Sequence, residues 1–222
     1  GARICAFDKG QSLYPVVSAG GGQHYVIGRD GLSFCPLQFL ASREDRAWAS
    51  QWIEMIVALN GQPVTPGERE AIERAIETMA EGSGGRRLSD FRLLLQDKRL
   101  RSILTFYTSD GASGGLLDAP QDGLTNMDFV CFELEALMQN NVNVVIPVLA
   151  YLFRRVETSL DGRPTLVPID EAWMALDNPV FRAKIRDWLK SYAKKNAAIV
   201  LSTQSLSDLT TSGILDVVIE ST

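Results

Sequence analysis

The chain has 222 residues, 45% hydrophobic and 22% charged, which suits a globular α/β domain with an insertion or a small second lobe. A formal net charge of −5 excludes a global basic field of the kind that binds nucleic acid, leaving only a local patch. One histidine, His24, excludes a His-rich metal centre. The lack of any unbroken apolar stretch of about 18 residues excludes a membrane-spanning helix in this sequence.

Residues 3–8 (RICAFD) read as a buried strand that starts almost at the first residue. Residues 24–27 and 32–37 read as a strand pair around the Gly-Arg-Asp-Gly turn at 28–31. The middle of the chain changes character. Ser42 with Asp45 opens a helix whose Trp48, Trp52, Ile53, Ile56 and Leu59 recur at three- and four-residue steps, ending near Asn60-Gly61. Thr65 with Glu68 three residues on forms a capping box, and Pro66 suits the first helical position of a helix to about Ala80. The stretch EGSGGRR at 81–87 is a break. Helical segments follow at 91–95 and 97–106, and a longer one at 143–156, where Pro147 must be accommodated.

Residues 165–169 and 198–202 are short apolar runs of the kind found in strands covered on both faces. Between them Ile185, Trp188, Leu189 and Tyr192 fall at helical spacing, so the unit reads strand–helix–strand. The expected organisation is a sheet from 1–41 and 158–222 around an inserted, mostly helical lobe at 42–157. Residues 216–220 read as a further strand, so both ends look like the interior of a longer fold. Cys5, Cys35 and Cys131 are odd in number, widely spaced and set among apolar neighbours, which reads as reduced, buried thiols.

Chemistry concentrates at the strand tips. In TLVPIDEAW (165–173) an apolar strand ends in two adjacent acids, the Walker B arrangement. Asp170 at the tip can hold Mg²⁺, usually through water, and Glu171 beyond it can orient or deprotonate an attacking water. The plain alternative is that Asp170 caps a turn and Glu171 is solvated. LSTQS (201–205) puts Gln204 just past the next strand, where an amide can report a γ-phosphate; ordinary helix capping by Ser205 or Ser207 is the alternative. FDKGQS (7–12) puts Asp8 at the first strand's tip, able to position water or Mg²⁺, or to cap the following helix. No G-x-x-x-x-G-K-[ST] loop occurs, and neither Gly20–Gly22 nor the glycines at 82–85 supply its Lys-Ser/Thr. Such a loop is expected one helix upstream of the first strand, before residue 1. Arg182, Arg186, Lys190, Lys194 and Lys195 are the basic residues flanking the strand tips.

The sequence resembles the conjugal-transfer and type IV secretion ATPases of the TrbE/CagE kind. The likeness runs in order through FDKGQS (7–12), FELEAL (132–137), VLAYLFRRVE (148–157), LDGRPTLVPIDEAW (160–173), IRDWLKSYAKKNAAIVLSTQSLSD (185–208) and SGI (212–214). It implies a RecA-like P-loop NTPase sheet with an inserted lobe, the cofactors ATP and Mg²⁺, and a ring-shaped, often hexameric homo-oligomer. It also implies partnership with secretion or conjugation channel proteins and a cytoplasmic, peripheral place at the bacterial inner membrane. Carried over by position, Asp170 and Glu171 are the Walker B pair and Gln204 the sensor. The sequence departs from the pattern at Ala193, where the family usually has arginine before the Lys-Lys-Asn of 194–196. Two other readings stand beside the motor: a docking module without catalysis, and a DNA-pumping motor, which would need a basic pore loop for DNA contact.

Overall fold

Residues 1–29, 31–170 and 179–202 are described by a computed structural model of the chain, apart from the side chains at 179–182, 184 and 190. Five short apolar runs form its sheet: β1 (Arg3–Asp8), β2 (Gln23–Val26), β3 (Phe129–Glu133), β4 (Thr165–Ile169) and β5 (Ala197–Leu201). The helices described are α1 (Tyr14–Ala19), α2 (Arg43–Leu59), α3 (Pro66–Glu81), α4 (Leu88–Leu94), α5 (Lys98–Thr105), α6 (Gly114–Leu117), α7 (Glu135–Met138), α8 (Val142–Ser159) and α9 (Pro179–Ser191). The last leads into a 3₁₀ turn at Tyr192–Lys195.

The sheet order is β2-β3-β1-β4-β5, with every neighbouring pair parallel. Parallel strands need long crossovers and are covered on both faces, which is why these runs are apolar without alternation. In the central β1, Cys5, Ala6 and Phe7 are all buried. Ala6 faces one side, with Cys131 of β3 and Val17 of α1. Phe7 faces the other, its ring 5.1 Å from Phe153 of α8. Phe153 meets Trp188 of α9 at 4.6 Å, and Trp188 stacks on Tyr192 at 4.8 Å.

The chain divides into two compact units, Gly1–Asp30, Asn126–Gln139 and Leu152–Thr222 for the sheet, and Gly31–Thr125 with Asn140–Tyr151 for the helical lobe. These bounds redraw the lobe expected at 42–157. Residues 126–139 go with the sheet because they carry β3, which hydrogen-bonds to β1 and β2. The expected strand pair around 28–31 also changes. β2 borders β3, and residues 32–37 form no strand. Their backbone is satisfied inside the lobe instead: Phe34 N donates to Leu116 O and Ala119 N donates to Phe34 O.

Within the lobe the capping signals act as read. Ser42 accepts from Asp45 N while Asp45 accepts from Ser42 N, and Thr65 and Glu68 form the same reciprocal pair. Each box supplies about 1 kcal/mol by satisfying otherwise orphaned N–H groups. Helix α2 packs on α3 and α5 through an apolar face that includes the buried Trp52, Ile53 and Ile56. Pro147 lies inside α8, where it removes the N–H that would serve the carbonyl of Asn143. The hydroxyl of the buried Tyr107 donates to that carbonyl at 2.9 Å.

Candidate functional site

Because the strands run parallel, the C-terminal ends of β1, β3, β4 and β5 share one edge of the sheet, where open α/β sheets gather ligands. The ladder carries past the tips. Asp170 N donates to Phe7 O at 2.8 Å, Leu134 N to Asp8 O at 2.9 Å and Ser202 N to Ile169 O at 3.0 Å. These bonds fix the backbone from which each tip residue projects.

Asp8 is only 1% exposed. Its Oδ1 accepts from the Ser12 hydroxyl at 2.6 Å and its Oδ2 from Leu13 N at 2.9 Å. The same hydroxyl lies 3.0 Å from Oδ2 of Asp170. A single hydroxyl proton therefore faces two carboxylates and serves one at a time. The loop from Asp8 to Ser12 turns through left-handed backbone at Gly10 (φ 82°) and Gln11 (φ 58°). Glu133, also 1% exposed, holds that turn: Oε2 accepts from Gln11 N at 2.7 Å and Oε1 from Gly10 N at 3.3 Å. Oε1 accepts as well from Glu135 N at 2.8 Å, at the start of α7. None of the three carboxylates makes an ion pair among the described residues.

Of the four residues singled out from the sequence, Asp8 and Asp170 meet on this edge through Ser12. Glu171 and Gln204 lie outside the described residues; Asp170 and Ser202, their described neighbours, are on this edge. Sequence reasoning missed Ser12 and Glu133. The signal for Ser12 was its place four residues after Asp8, with a glycine turn between them. For Glu133 it was an acid ending the apolar run FVCFE.

The oxygens fit a hard divalent cation. Ser12 Oγ and Asp170 Oδ2, 3.0 Å apart, are hard oxygen donors of the kind Mg²⁺ takes, directly or through its bound waters. Behind them, on the α1 face, His24 of β2 and Cys131 of β3 complete a group with Asp8 whose ligand atoms all lie within 4.8 Å of one another. Burial, aided by Asp8 and Glu133, pushes the Cys131 thiol up to about 12. The lone histidine thus belongs to a cluster that composition alone had discounted.

The TraG P-loop domain family model matches residues 88–222. The chain belongs to the TraG P-loop domain family. It is 51% identical over 99% of its length to a probable conjugal transfer protein TrbE of Sinorhizobium fredii, of which it spans 34%. It is likewise 51% identical over 100% of its length to the conjugal transfer protein TrbE of Rhizobium radiobacter, spanning 28% of that protein. The resemblance to TrbE-type proteins is therefore borne out, and the chain corresponds to about a third of these relatives. In fold it matches the structure of VirB4 of Thermoanaerobacter pseudethanolicus, with a TM-score of 0.70 and 20% identity over 94% of this chain and 64% of that one. The architecture is the expected α/β, RecA-like P-loop NTPase fold. No helix among the described residues is long and apolar enough to cross a membrane.

Proposed function

We propose that this chain supplies the metal- and water-handling edge of an ATP-hydrolysing motor that serves a bacterial conjugation or type IV secretion system. The observation that carries the reading is the meeting of Asp8, Ser12 and Asp170 at the C-terminal edge of the sheet, with neither carboxylate in an ion pair among the described residues. A bound Mg²⁺ would draw charge from the phosphates. Asp170 would hold it through water, with Ser12 beside it.

The protein's own part is positional. Asp8 orients the Ser12 hydroxyl, Glu133 fixes the turn that carries it, and the ladder bond from Asp170 N to Phe7 O keeps the two tips in register. Glu171 would take the proton of the attacking water. Gln204, two residues beyond Ser202, would sense the γ-phosphate and couple its loss to movement. The phosphate-gripping loop, absent from this sequence, would come from elsewhere in the intact protein. The homo-oligomeric, hexameric state, the channel partners and the cytoplasmic place at the inner membrane belong to the same proposal. The likeness to the TrbE proteins supports them.

Steady-state ATP hydrolysis by the intact protein tests the reading. Glu171→Gln is expected to lower turnover by about 10²–10⁴, the usual worth of a positioned general base. Unchanged turnover removes Glu171 from that role.

A further inference from the structure

The cluster on the α1 face follows from strand register. His24 pairs with Cys131, Cys131 pairs with Ala6, and Asp8 lies two residues beyond Ala6. Strand alternation therefore sends all three side chains to one face of three adjacent strands. The donor set is one imidazole nitrogen, one sulfur and one carboxylate oxygen, mutually within 4.8 Å. Cys131 and Asp8 are fully buried and His24 half-buried.

A second observation points to a ligand. Nε2 of His24 is buried yet has no hydrogen-bond partner. A buried, unsatisfied nitrogen costs about 1–3 kcal/mol, so native folds rarely leave one without a purpose. The ring is held edge-on by Tyr14 at 5.1 Å. Asp8 is held by Ser12 and Leu13 N, each of its oxygens keeping a lone pair free. Hydrogen-bonded carboxylates of this kind are typical supports for a ligand.

We propose that Asp8, His24 and Cys131 form a binding site for a soft divalent cation of the Zn²⁺ class, with a fourth position open to water. Charge favours it: a thiolate and a carboxylate neutralise a 2+ ion, so the three ligands and the ion together carry no net charge. Bonds of 2.0–2.3 Å in a tetrahedron put ligand atoms about 3.3–3.8 Å apart, so closure from 4.8 Å asks for side-chain movements of about an ångström. The ion displaces the Cys131 proton to solvent on binding, as coordinated thiols are deprotonated. Sulfur selects against Mg²⁺, so the site is chemically distinct from the oxygen pair of Ser12 and Asp170 even though Asp8 touches both. Entry is from the side of His24, the member that reaches solvent.

Titration of the intact protein with Co²⁺, and X-ray absorption of its Zn²⁺-loaded form, test this without reference to ATP turnover. The expected results are one metal per chain, a thiolate-to-cobalt charge-transfer band, and a Zn²⁺ shell with one sulfur at about 2.3 Å and the remaining nitrogen and oxygen ligands at about 2.0–2.2 Å. Cys131→Ser should abolish the band, His24→Gln should weaken binding at least about tenfold, and Cys35→Ser should leave both unchanged. Excess Mg²⁺ should not displace the ion. A Zn²⁺ shell without sulfur, or a cobalt band that survives Cys131→Ser, overturns the proposal; the absorption measurement needs no variant and so does not depend on how well one folds.

Discussion

The two edges of the sheet treat their acids in opposite ways. At the N-terminal edge Asp161 accepts from Arg3 Nη2 at 3.2 Å and Arg163 Nε at 2.9 Å, and Asp128 lies 2.9 Å from Arg163 Nη2. Arg3 itself is 5% exposed and also donates to the carbonyl of Ser159. At the C-terminal edge Asp8, Glu133 and Asp170 are held by backbone N–H groups and one hydroxyl, with no ion pair among the described residues. Strand ends that only need closing can neutralise their own charges. An edge that keeps its carboxylates oriented, with no ion pair among the described residues, leaves them available to a cation, and the proposed function rests on that asymmetry.

Substitutions can break this contrast. The largest effect is expected for Asp170→Ala, which should lower ATP turnover of the intact protein by about 10²–10³ while leaving its urea midpoint nearly unchanged. Arg3→Ala should do the reverse. Loss of a buried cation bonded to charged and carbonyl partners should cost about 2 kcal/mol in urea unfolding, with turnover at saturating ATP kept. Ser12→Ala, which cuts the link between Asp8 and Asp170, should reduce turnover about tenfold with a stability change under about 1 kcal/mol.

The smallest effect is the pH dependence of the N-terminal edge. Backbone donation from Arg163, followed by its side chain and that of Arg3, holds the Asp161 carboxyl down at about 2. A depressed folded pKa adds stability above the ordinary carboxylate value and loses it as pH falls through about 2. Urea midpoints of the wild type and Asp161→Asn should therefore differ by a constant small amount above pH of about 4 and converge towards pH 2. A gap that widens on acidification would show that Asp161 is not held in this way.

Local signals were the legible ones. The Ser42 and Thr65 capping boxes, and the strand–helix–strand unit from 165 to 201, follow from neighbours within four residues or from helical spacing, and the structure keeps them. What sequence reading missed depends on partners far along the chain. FVCFE at 129–133 is a five-residue run in a largely helical stretch, and only pairing with β1 and β2, more than 100 residues earlier, makes it a strand. Gly28 and Gly31 look like a hairpin turn, yet the preferred neighbour of β2 is β3, which the turn chemistry cannot reveal. The site divides similarly. Asp8 and Asp170 were visible because acids at strand tips have a pattern; Glu133 has the same pattern but went unread because its run was not taken as a strand, and the pairing of His24 with Cys131 exists only through sheet register. Glu171 and Gln204 lie outside the described residues and rest on that same tip pattern.

On the proposed function, nucleotide-bound metal lies at the C-terminal edge. Fe²⁺ put in place of Mg²⁺ in the intact protein, with ascorbate and peroxide, cuts backbone close to the metal, and mass spectrometry locates the cuts. Cuts are expected at 8–12 and around 170 that appear with ATP and not without it, and that persist in Cys131→Ser. ATP-dependent cuts confined to 126–128 and 161–163, or none near 170, would contradict it.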